Sequence, residues 1–183
     1  MFLFDTLTPQ AVSRHVIESG HAFEPFAGAG LSLTAIPVAG KIPLHLQASR
    51  TYRHRRGDET VGFVIEDNAT GRRAAYVPGC ASVTDTLRSA LASVDALLFD
   101  GTLYCENEMV RQKLSSKTGA SMGHMCMSGA GGSIESLEEV AIVRRIFIHL
   151  NNSNPVLDEN SRERDAVTSA GWEVAYDGME LRI

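Results

Sequence analysis

The prediction of the fold starts from the stretch Arg144–Pro155, RRIFIHLNNSNP. Its apolar residues 146–148 are β-formers, and their number suits one buried strand. The polar run NNSNP at 151–155 cannot continue a strand, so we expect the strand to end near His149. α/β proteins bind ligands at the carboxyl ends of such strands. His149 is therefore either a metal ligand, a catalytic group, or a histidine held only by backbone contacts.

The overall composition limits the class of protein. The chain has 183 residues, which suits one domain with a sizeable core, and its net charge of −5 argues against nucleic-acid or anionic-membrane binding. No apolar run approaches the roughly 18 residues that a membrane helix requires. The residues at the start of the chain lack the pattern of a secretory signal. Three cysteines without a CxxC motif fit a reducing compartment, so we expect a cytoplasmic location.

Strands and helices are predicted to alternate along the chain without repeats. Helices are predicted from Thr8 to Gly20, at 85–97, from Ser133 onward and at 158–170. The segment 117–132 is rich in Gly, Ser and Met and is predicted to be a long mobile loop. The predicted strands are 31–38, 43–48, 60–66, 74–77, 96–99, 146–149 and 172–176. This order implies an α/β fold in which helices cover a sheet.

Three predicted strand ends carry side chains that bind metals or transfer protons, namely Cys80, Asp100 and His149. His124 lies in the loop before the last of them. A carboxylate, imidazoles and a thiolate at one sheet edge suit a first-row metal such as zinc or iron. Each residue also has a structural explanation: Cys80 as a packed small group, Asp100 as a turn residue and His124 as a loop cap. No two of them have HxH or CxxC spacing, so the residues alone leave both interpretations open.

Longer motifs carry a resemblance to a known family. They are YVPGC at 76–80, LFDGT at 98–102, KTG at 117–119, MGHM at 122–125, IFIHLNNSNP at 146–155 and WEVAYDGM at 172–179. With these motifs the chain resembles the PqqB family, the pyrroloquinoline quinone (PQQ) biosynthesis proteins B of the metallo-β-lactamase superfamily. The resemblance covers nearly all of this chain, but only about the carboxyl-terminal three-fifths of such a protein.

The resemblance implies the carboxyl-terminal part of a metallo-β-lactamase αββα sandwich, as one incomplete domain over residues 1–183. It implies metal ligation by His149, Asp100 and Cys80, where Cys80 stands at the position of a bridging carboxylate. It gives catalytic roles to His124 and Asp100, beside one iron or zinc ion. The superfamily's leading HxHxDH-type motif does not occur in this sequence. We therefore expect this chain alone to be inactive, as a fragment, a mis-started reading frame or half of a split pair.

The resemblance also implies a function in the biosynthesis of the redox cofactor PQQ. One implied activity is iron-dependent hydroxylation of the tyrosine ring of a Glu-Tyr-derived precursor. Another is a soluble carrier that moves the cofactor or its precursor toward the periplasm. The cofactor is a tricarboxylate, and arginines pair well with carboxylates; the residues 50–56, RTYRHRR, form either such an anion-facing loop or a solvated one. The expected substrate contacts are Asn152, Asn154, Arg53 and Arg55.

Expected partners follow from the same resemblance. They are the peptide-derived precursor, other PQQ biosynthesis proteins, and either a second copy of this chain or a chain that supplies the missing half. Neither nucleic acid nor a membrane span is expected.

Overall fold

The structure is a computed structural model that describes residues 15–41 and 60–183. Within these ranges, seven strands form one mixed sheet in which the spatial order equals the chain order. Strands β1 to β4 pair antiparallel, whereas β4 to β7 pair parallel. The strands are β1 Ala22–Phe23, β2 Leu31–Pro37, β3 Val61–Asp67, β4 Arg73–Val77, β5 Ala96–Asp100, β6 Arg144–Ile148 and β7 Trp172–Val174. The predicted α/β class is confirmed.

Short helices connect the parallel strands, because two parallel strands cannot be joined by a tight turn. α1 links β4 to β5, three short helices lie between β5 and β6, and α5 links β6 to β7. A 3₁₀ turn at Pro155–Leu157 precedes α5. The helices are α1 Asp85–Leu91, α2 Glu108–Arg111, α3 Gly119–Met122, α4 Ser133–Ser136 and α5 Arg162–Ser169. None of the helices in the described ranges is long and apolar enough to cross a membrane.

The core lies between the helices and one face of the sheet. Phe99 and Phe147 on neighbouring strands contact the ring of Trp172, which stacks on Phe147 with a centroid distance of 4.0 Å. Helix α1 adds Leu87 and Leu91, and both are fully buried. Burying such side chains contributes about 1.5–3 kcal/mol each to the free energy of unfolding. This packing holds the carboxyl ends of β4, β5 and β6 in fixed positions.

The opposite face of the sheet is also apolar and less completely covered. Paired residues share a face, so the register places Phe63, Tyr76, Leu98 and Ile146 in one row across four strands. Ile146 is buried, but Tyr76 is 42% exposed. Val61, the first residue of β3, is 37% exposed. Both sides of this sheet therefore carry apolar side chains, which is typical of a sheet covered on both faces.

Several predicted elements are confirmed with shifted bounds. The hairpin of β3 and β4 forms around a turn in which Asp67 accepts hydrogen bonds from the backbone of Ala69 and the side chain of Thr70. Helix α1 ends at Leu91 and not at 97, because residues 96–100 pair in the sheet as β5. Strand β7 ends at Val174 and not at 176.

Two further differences have local causes. The last helix begins at Arg162 and not at 158, because Ser161 caps it by accepting a hydrogen bond from the backbone of Arg164. The predicted loop 117–132 contains helix α3. At the amino terminus of this helix, Thr118 and Ser121 form a capping box, in which the side chain of each accepts a hydrogen bond from the backbone N–H of the other. The predicted helix from Thr8 to Gly20 lies largely outside the described residues, and its described part, residues 15–20, is not helical. The predicted strand 43–48 lies wholly outside the described residues.

Candidate metal site

The candidate site lies where the parallel strands end. Asp100 is the last residue of β5, and His149 directly follows β6, its parallel neighbour. His124 approaches from the connection between these strands, two residues after helix α3. The predicted meeting of Asp100, His124 and His149 at one sheet edge is therefore present in the fold.

Asp100 forms the buried base of the site, with a side chain that has no exposed surface. Its Oδ2 atom accepts a hydrogen bond from the backbone N–H of Cys80 at 2.9 Å. Its Oδ1 atom accepts from the backbone N–H of Thr102 at 3.1 Å and from the Thr102 hydroxyl at 2.6 Å. A buried carboxylate is costly unless such donors surround it. These contacts fix the carboxylate in one orientation.

His124 is held against that carboxylate. Its Nδ1 atom lies 2.7 Å from Oδ2 of Asp100, and its side chain is 20% exposed. Helix α3 ends at Gly123 with φ of 88°, a left-handed conformation, and a Cβ there would lie 2.6 Å from Cβ of Lys41. Gly123 therefore allows the sharp turn that delivers the next side chain to Asp100.

His149 has an unusual backbone conformation for a residue with a side chain. Its φ is 55°, in the left-handed region, which costs about 1 kcal/mol or more and is often found at functional sites. Its Nδ1 atom lies 2.9 Å from the Thr102 hydroxyl and 3.5 Å from Oδ1 of Asp100. The side chain is 54% exposed, so one edge of the imidazole stays accessible.

The three side chains form a cluster that fits a metal ion. One ligand atom from each of Asp100, His124 and His149 lies within 4.8 Å of the other two. The two imidazole rings are 5.4 Å apart and tilted by 33°. One carboxylate oxygen and two imidazole nitrogens are ligands for zinc and for non-haem iron, with positions left open for substrate. The donor set therefore fits either metal that the sequence suggests.

Cys80, the remaining predicted metal ligand, is not part of the cluster of Asp100, His124 and His149. Its thiol is fully buried and donates a hydrogen bond to the carbonyl oxygen of Ser82 at 3.3 Å. Burial raises the pKa of this thiol to about 12, and the negative charge of Asp100 adds to the effect. The backbone N–H of Cys80 donates to Asp100.

Asn154 also differs from its predicted role in binding substrate. Its side chain is 2% exposed, its Nδ2 donates to the carbonyl oxygen of Gly101, and its Oδ1 accepts from the backbone of Val156. These bonds fasten the loop after β6 to the end of β5. Asn152 is exposed and lines a cavity beside His149. The two predicted arginine contacts, Arg53 and Arg55, lie outside the described residues.

Residue patterns did not predict the functions of Thr102 and Gly101. The Thr102 hydroxyl contacts all three members of the cluster. A Cβ at Gly101 would lie 2.8 to 3.0 Å from Met127, Phe147 and the carbonyl oxygen of Ile148, so only glycine lets β5 approach β6 this closely. The sequence signal for both is the run Asp-Gly-Thr at the end of a buried strand.

Comparisons with known proteins agree with this fold. The family model described as "Beta-lactamase superfamily domain" matches residues 2–150. Coenzyme PQQ synthesis protein B of Methylobacterium nodulans is 51% identical over 181 residues, which cover 99% of this chain and 59% of that protein. The chain thus spans about three-fifths of the length of the curated relatives that it matches.

Solved structures give the same result. The zinc-bound PqqB from Methylobacterium extorquens superposes with a TM-score of 0.86 at 44% identity, over 98% of this chain and 59% of that one. The metallo-beta-lactamase fold protein YhfI from Bacillus subtilis has a TM-score of 0.60 at 15% identity, a similarity of fold alone, over 96% and 59% of the two chains. The predicted carboxyl-terminal part of a metallo-β-lactamase fold is confirmed. The chain belongs to the beta-lactamase superfamily, and its predicted resemblance to the PqqB family holds over nearly its whole length.

Proposed function

We propose that this chain takes part in PQQ biosynthesis in the cytoplasm and carries the metal site of a hydroxylase that acts on the tyrosine ring of a Glu-Tyr-derived precursor. The grouping of Asp100, His124 and His149 is the observation that carries this proposal. Two histidines and one carboxylate with open positions are the ligand set of non-haem iron oxygenases. The names of the similar proteins support the pathway.

Aromatic hydroxylation places definite demands on the site. When bound, iron supplies the activation of dioxygen that this reaction requires. One oxygen atom replaces a ring hydrogen as hydroxyl and the other leaves as water, and an external two-electron reductant of the ascorbate class provides the electrons. Zinc has no redox chemistry, so the hydroxylase proposal requires iron. In this proposal the imidazole of His124, which lies 2.7 Å from Oδ2 of Asp100, would help to hold the iron.

A cavity of about 470 Å³ beside His149 is the proposed substrate site. It is lined by Asn152, Arg164 and Tyr176 among others. One guanidinium nitrogen of Arg164 donates to the carbonyl oxygen of Val156, which leaves further N–H groups to pair with a carboxylate of the precursor. Asn152 keeps its predicted role as a substrate contact in this proposal.

The remaining part of the fold is proposed to pack on the apolar face that contains Tyr76 and Val61. The similar proteins are longer, since this chain covers 59% of their length. A second sheet on that face would bury these side chains, as packed sheets do in sandwiches. That second layer, in the same polypeptide or in another chain, would also enclose the metal site. The proposed partners are accordingly the precursor, pathway proteins and the complementary layer.

The test compares the purified chain alone with the chain co-expressed with the complementary segment of the M. nodulans relative. Metal content by elemental analysis, oligomer mass and the mass of a Glu-Tyr dipeptide incubated with iron, ascorbate and oxygen are measured for each. We expect little metal and no reaction for the chain alone. Near-stoichiometric iron and a dipeptide heavier by one oxygen atom are expected for the pair. A pair that holds only zinc and leaves the dipeptide unchanged would contradict the hydroxylase proposal.

The carrier alternative requires tight binding of the tricarboxylate cofactor without chemistry. Its predicted contacts, Arg53 and Arg55, lie outside the described residues, and no contact within the described part favours it over the hydroxylase. Equilibrium binding of PQQ to the metal-free pair separates the two functions, because a carrier binds the cofactor without iron.

A further inference from the structure

Glu108 is a buried acidic residue that lies outside the candidate metal site. It is the first residue of helix α2 and is 3% exposed. Its Oε2 atom accepts a hydrogen bond from the backbone N–H of Tyr104 at 2.7 Å, and its Oε1 atom accepts from the Ser153 hydroxyl at 2.6 Å. Burying a carboxyl group is costly unless its oxygens keep hydrogen-bond donors. Both donors are therefore held firmly against Glu108 in the folded chain.

The two donors belong to the loops that follow the strands of the site. Tyr104 lies on the chain that leaves β5, and Ser153 lies on the loop that leaves β6, four residues after His149. Glu108 therefore joins two loops at the ends of neighbouring parallel strands. Gln112, which follows α2, also holds the second loop by donating to the carbonyl oxygen of Ser153 at 2.7 Å, but that contact is exposed to water.

The hydrogen bonds continue from Ser153 toward His149. The Ser153 hydroxyl gives its hydrogen to Glu108 and uses a lone pair to accept from Nδ2 of Asn151 at 2.7 Å. The backbone N–H of Asn151 in turn donates to the carbonyl oxygen of Thr102 at 3.1 Å. Because Asn151 is only two residues from His149, the restraint that begins at Glu108 reaches the backbone beside that histidine.

His149 depends on such a restraint from its loop. Its backbone has φ of 55°, and a conformation of this kind persists only where the surrounding contacts over-determine it. The side chain is 54% exposed, so its own packing supplies little of the restraint. The loop after β6 must therefore hold the backbone of His149 in place.

We infer that Glu108 is a positioning residue. Through Ser153 and Asn151 it holds the loop after β6, so that His149 keeps its left-handed backbone and its ring stays beside that of His124. This arrangement is a property of the metal-free chain. Its importance for metal binding rests on the proposed function, in which His149 is a ligand.

Nuclear magnetic resonance of the metal-free chain tests the inference. The imidazole rings of His124 and His149 have centroids 5.4 Å apart, so we expect a nuclear Overhauser contact between them in the unaltered chain. Glu108→Gln keeps the shape of the side chain but replaces one accepting oxygen with an NH₂ group, and we expect the contact between the rings to be lost. Glu163→Gln is the matched control, because Glu163 lines the same cavity as Glu108, and it should keep the contact.

Variants of Ser153 test the route of the restraint. Ser153→Ala removes the hydroxyl that links Glu108 to Asn151 and should also abolish the contact between the rings, whereas Ser153→Thr keeps a hydroxyl and should preserve it. The signals of the loop residues 150–153 should shift no further in Glu108→Gln combined with Ser153→Ala than in Ser153→Ala alone, because both substitutions break one link.

A purely structural role of Glu108 would give a different result. A Glu108→Gln chain that is less stable in urea but keeps the contact between the two imidazole rings would overturn the inference. So would an unaltered chain in which the rings make no contact. If Glu108→Gln does not fold, as judged by circular dichroism, the comparison of Ser153→Ala with Ser153→Thr decides.

Zinc titration of the chain paired with the complementary segment of the M. nodulans relative separates this inference from the proposed function. Loss of a group that orients a metal ligand typically weakens metal binding about 10–100-fold. Because Glu108 acts through a loop, we expect Glu108→Gln to weaken zinc binding by about tenfold, near the lower end of that range, and Glu163→Gln to leave it unchanged. If the contact between the rings is lost as expected but zinc binds equally to all pairs, or to none of them, the metal proposal fails while the positioning of His149 by Glu108 stands.

Discussion

Nδ1 of His124 lies 2.7 Å from Oδ2 of Asp100, a carboxylate whose side chain has no exposed surface. The pair joins a loop between β5 and β6 to the end of β5 itself. Asp100 therefore has two functions: it stabilises the fold as an acceptor of several hydrogen bonds, and it orients an imidazole in the site.

Asp100→Asn tests both functions. The substitution replaces one oxygen that accepts hydrogen bonds with an NH₂ group, which would face the N–H and O–H donors of Cys80 and Thr102. We expect the free energy of unfolding of the metal-free chain to fall by about 1–3 kcal/mol, and zinc binding by the chain paired with the complementary segment to be lost. Urea denaturation and calorimetric titration measure the two effects. Asp177→Asn, at an exposed aspartate, is the matched control and should change neither quantity. Equal behaviour of the two variants would contradict this role of Asp100.

His149→Gly is predicted to stabilise the metal-free chain while removing a proposed ligand. The backbone of His149 has φ of 55°, which glycine adopts without strain. We expect a gain of about 1 kcal/mol in the free energy of unfolding, from the strain that the substitution relieves. Thermal denaturation without metal provides the measurement. His21→Gly, at an exposed histidine outside the left-handed region, should give no gain; a comparable gain there would refute the strain at His149.

Asn154→Ala is predicted to destabilise the chain. Asn154 belongs to the polar run NNSN at 151–154, but its side chain is buried. The substitution leaves the carbonyl oxygen of Gly101 and the backbone N–H of Val156 without their partner inside the protein. Each unsatisfied buried group costs about 1–3 kcal/mol. Asn152→Ala, two residues earlier and exposed, should change the free energy of unfolding by less than about 0.5 kcal/mol. Chemical denaturation of both variants distinguishes the structural asparagine from the surface one.

Cys80 is predicted to be the least reactive of the three thiols. Its pKa is raised to about 12 by burial and by Asp100, and the pKa of Cys126 is raised as well, chiefly by burial. Iodoacetamide at pH 8 should therefore label the half-buried Cys105 first, as peptide mass analysis can show. Early labelling of Cys80 in the folded chain would contradict its buried, protonated state.

The same shift sets a dependence of stability on pH. Between the ordinary thiol pKa near 9 and the raised value of about 12, the unfolded chain loses the Cys80 proton while the folded chain keeps it. This contribution to stability is full below pH 9 and declines as the pH rises through that window. Cys80→Ala should make the stability less sensitive to alkaline pH, measured by urea denaturation at several pH values.

Gly101→Ala is predicted to disrupt the approach of β5 to β6. The added methyl group would lie 2.8 Å from Cε of Met127 and 2.9 Å from Cβ of Phe147. Overpacking of this kind costs about 1–3 kcal/mol. Gly79→Ala is the matched control, since its methyl would meet only the His124 ring, at 3.8 Å. The melting temperatures of the two variants are compared. An equally small decrease for both would contradict the close approach of β5 to β6 at Gly101.

The strand ends of the site were predictable from local sequence, but their precise contacts were not. The apolar run before His149 and the run before Asp100 each mark a buried strand, and parallel strands bring their carboxyl ends together. His124 has no comparable local signal, because a loop of about twenty residues separates it from Asp100 and only tertiary packing delivers it there. The resemblance to a family pointed to it.

Cys80 and Asn154 show contacts that residue type alone does not predict. A cysteine at a strand end suits a metal ligand by chemistry, but its thiol turns to Ser82 and its backbone serves Asp100 instead. Asn154 and Asn152 have the same side chain in the same loop. Only the position of the 3₁₀ turn at Pro155–Leu157 determines which of the two is buried as a cap. Which side chain is buried, and which group it contacts, depends on the tertiary structure and cannot be deduced from the spacing of residue types in the sequence.

The order of strands in the sheet has a consequence for how this protein folds. Within the described residues, each strand from β1 to β7 pairs with the strands next to it in the order of the chain, and the longest connection between parallel strands is residues 101–143. Low sequence separation between contacting elements favours fast folding and lowers the entropy lost in closing loops. The sheet can therefore grow strand by strand as the polypeptide leaves the ribosome.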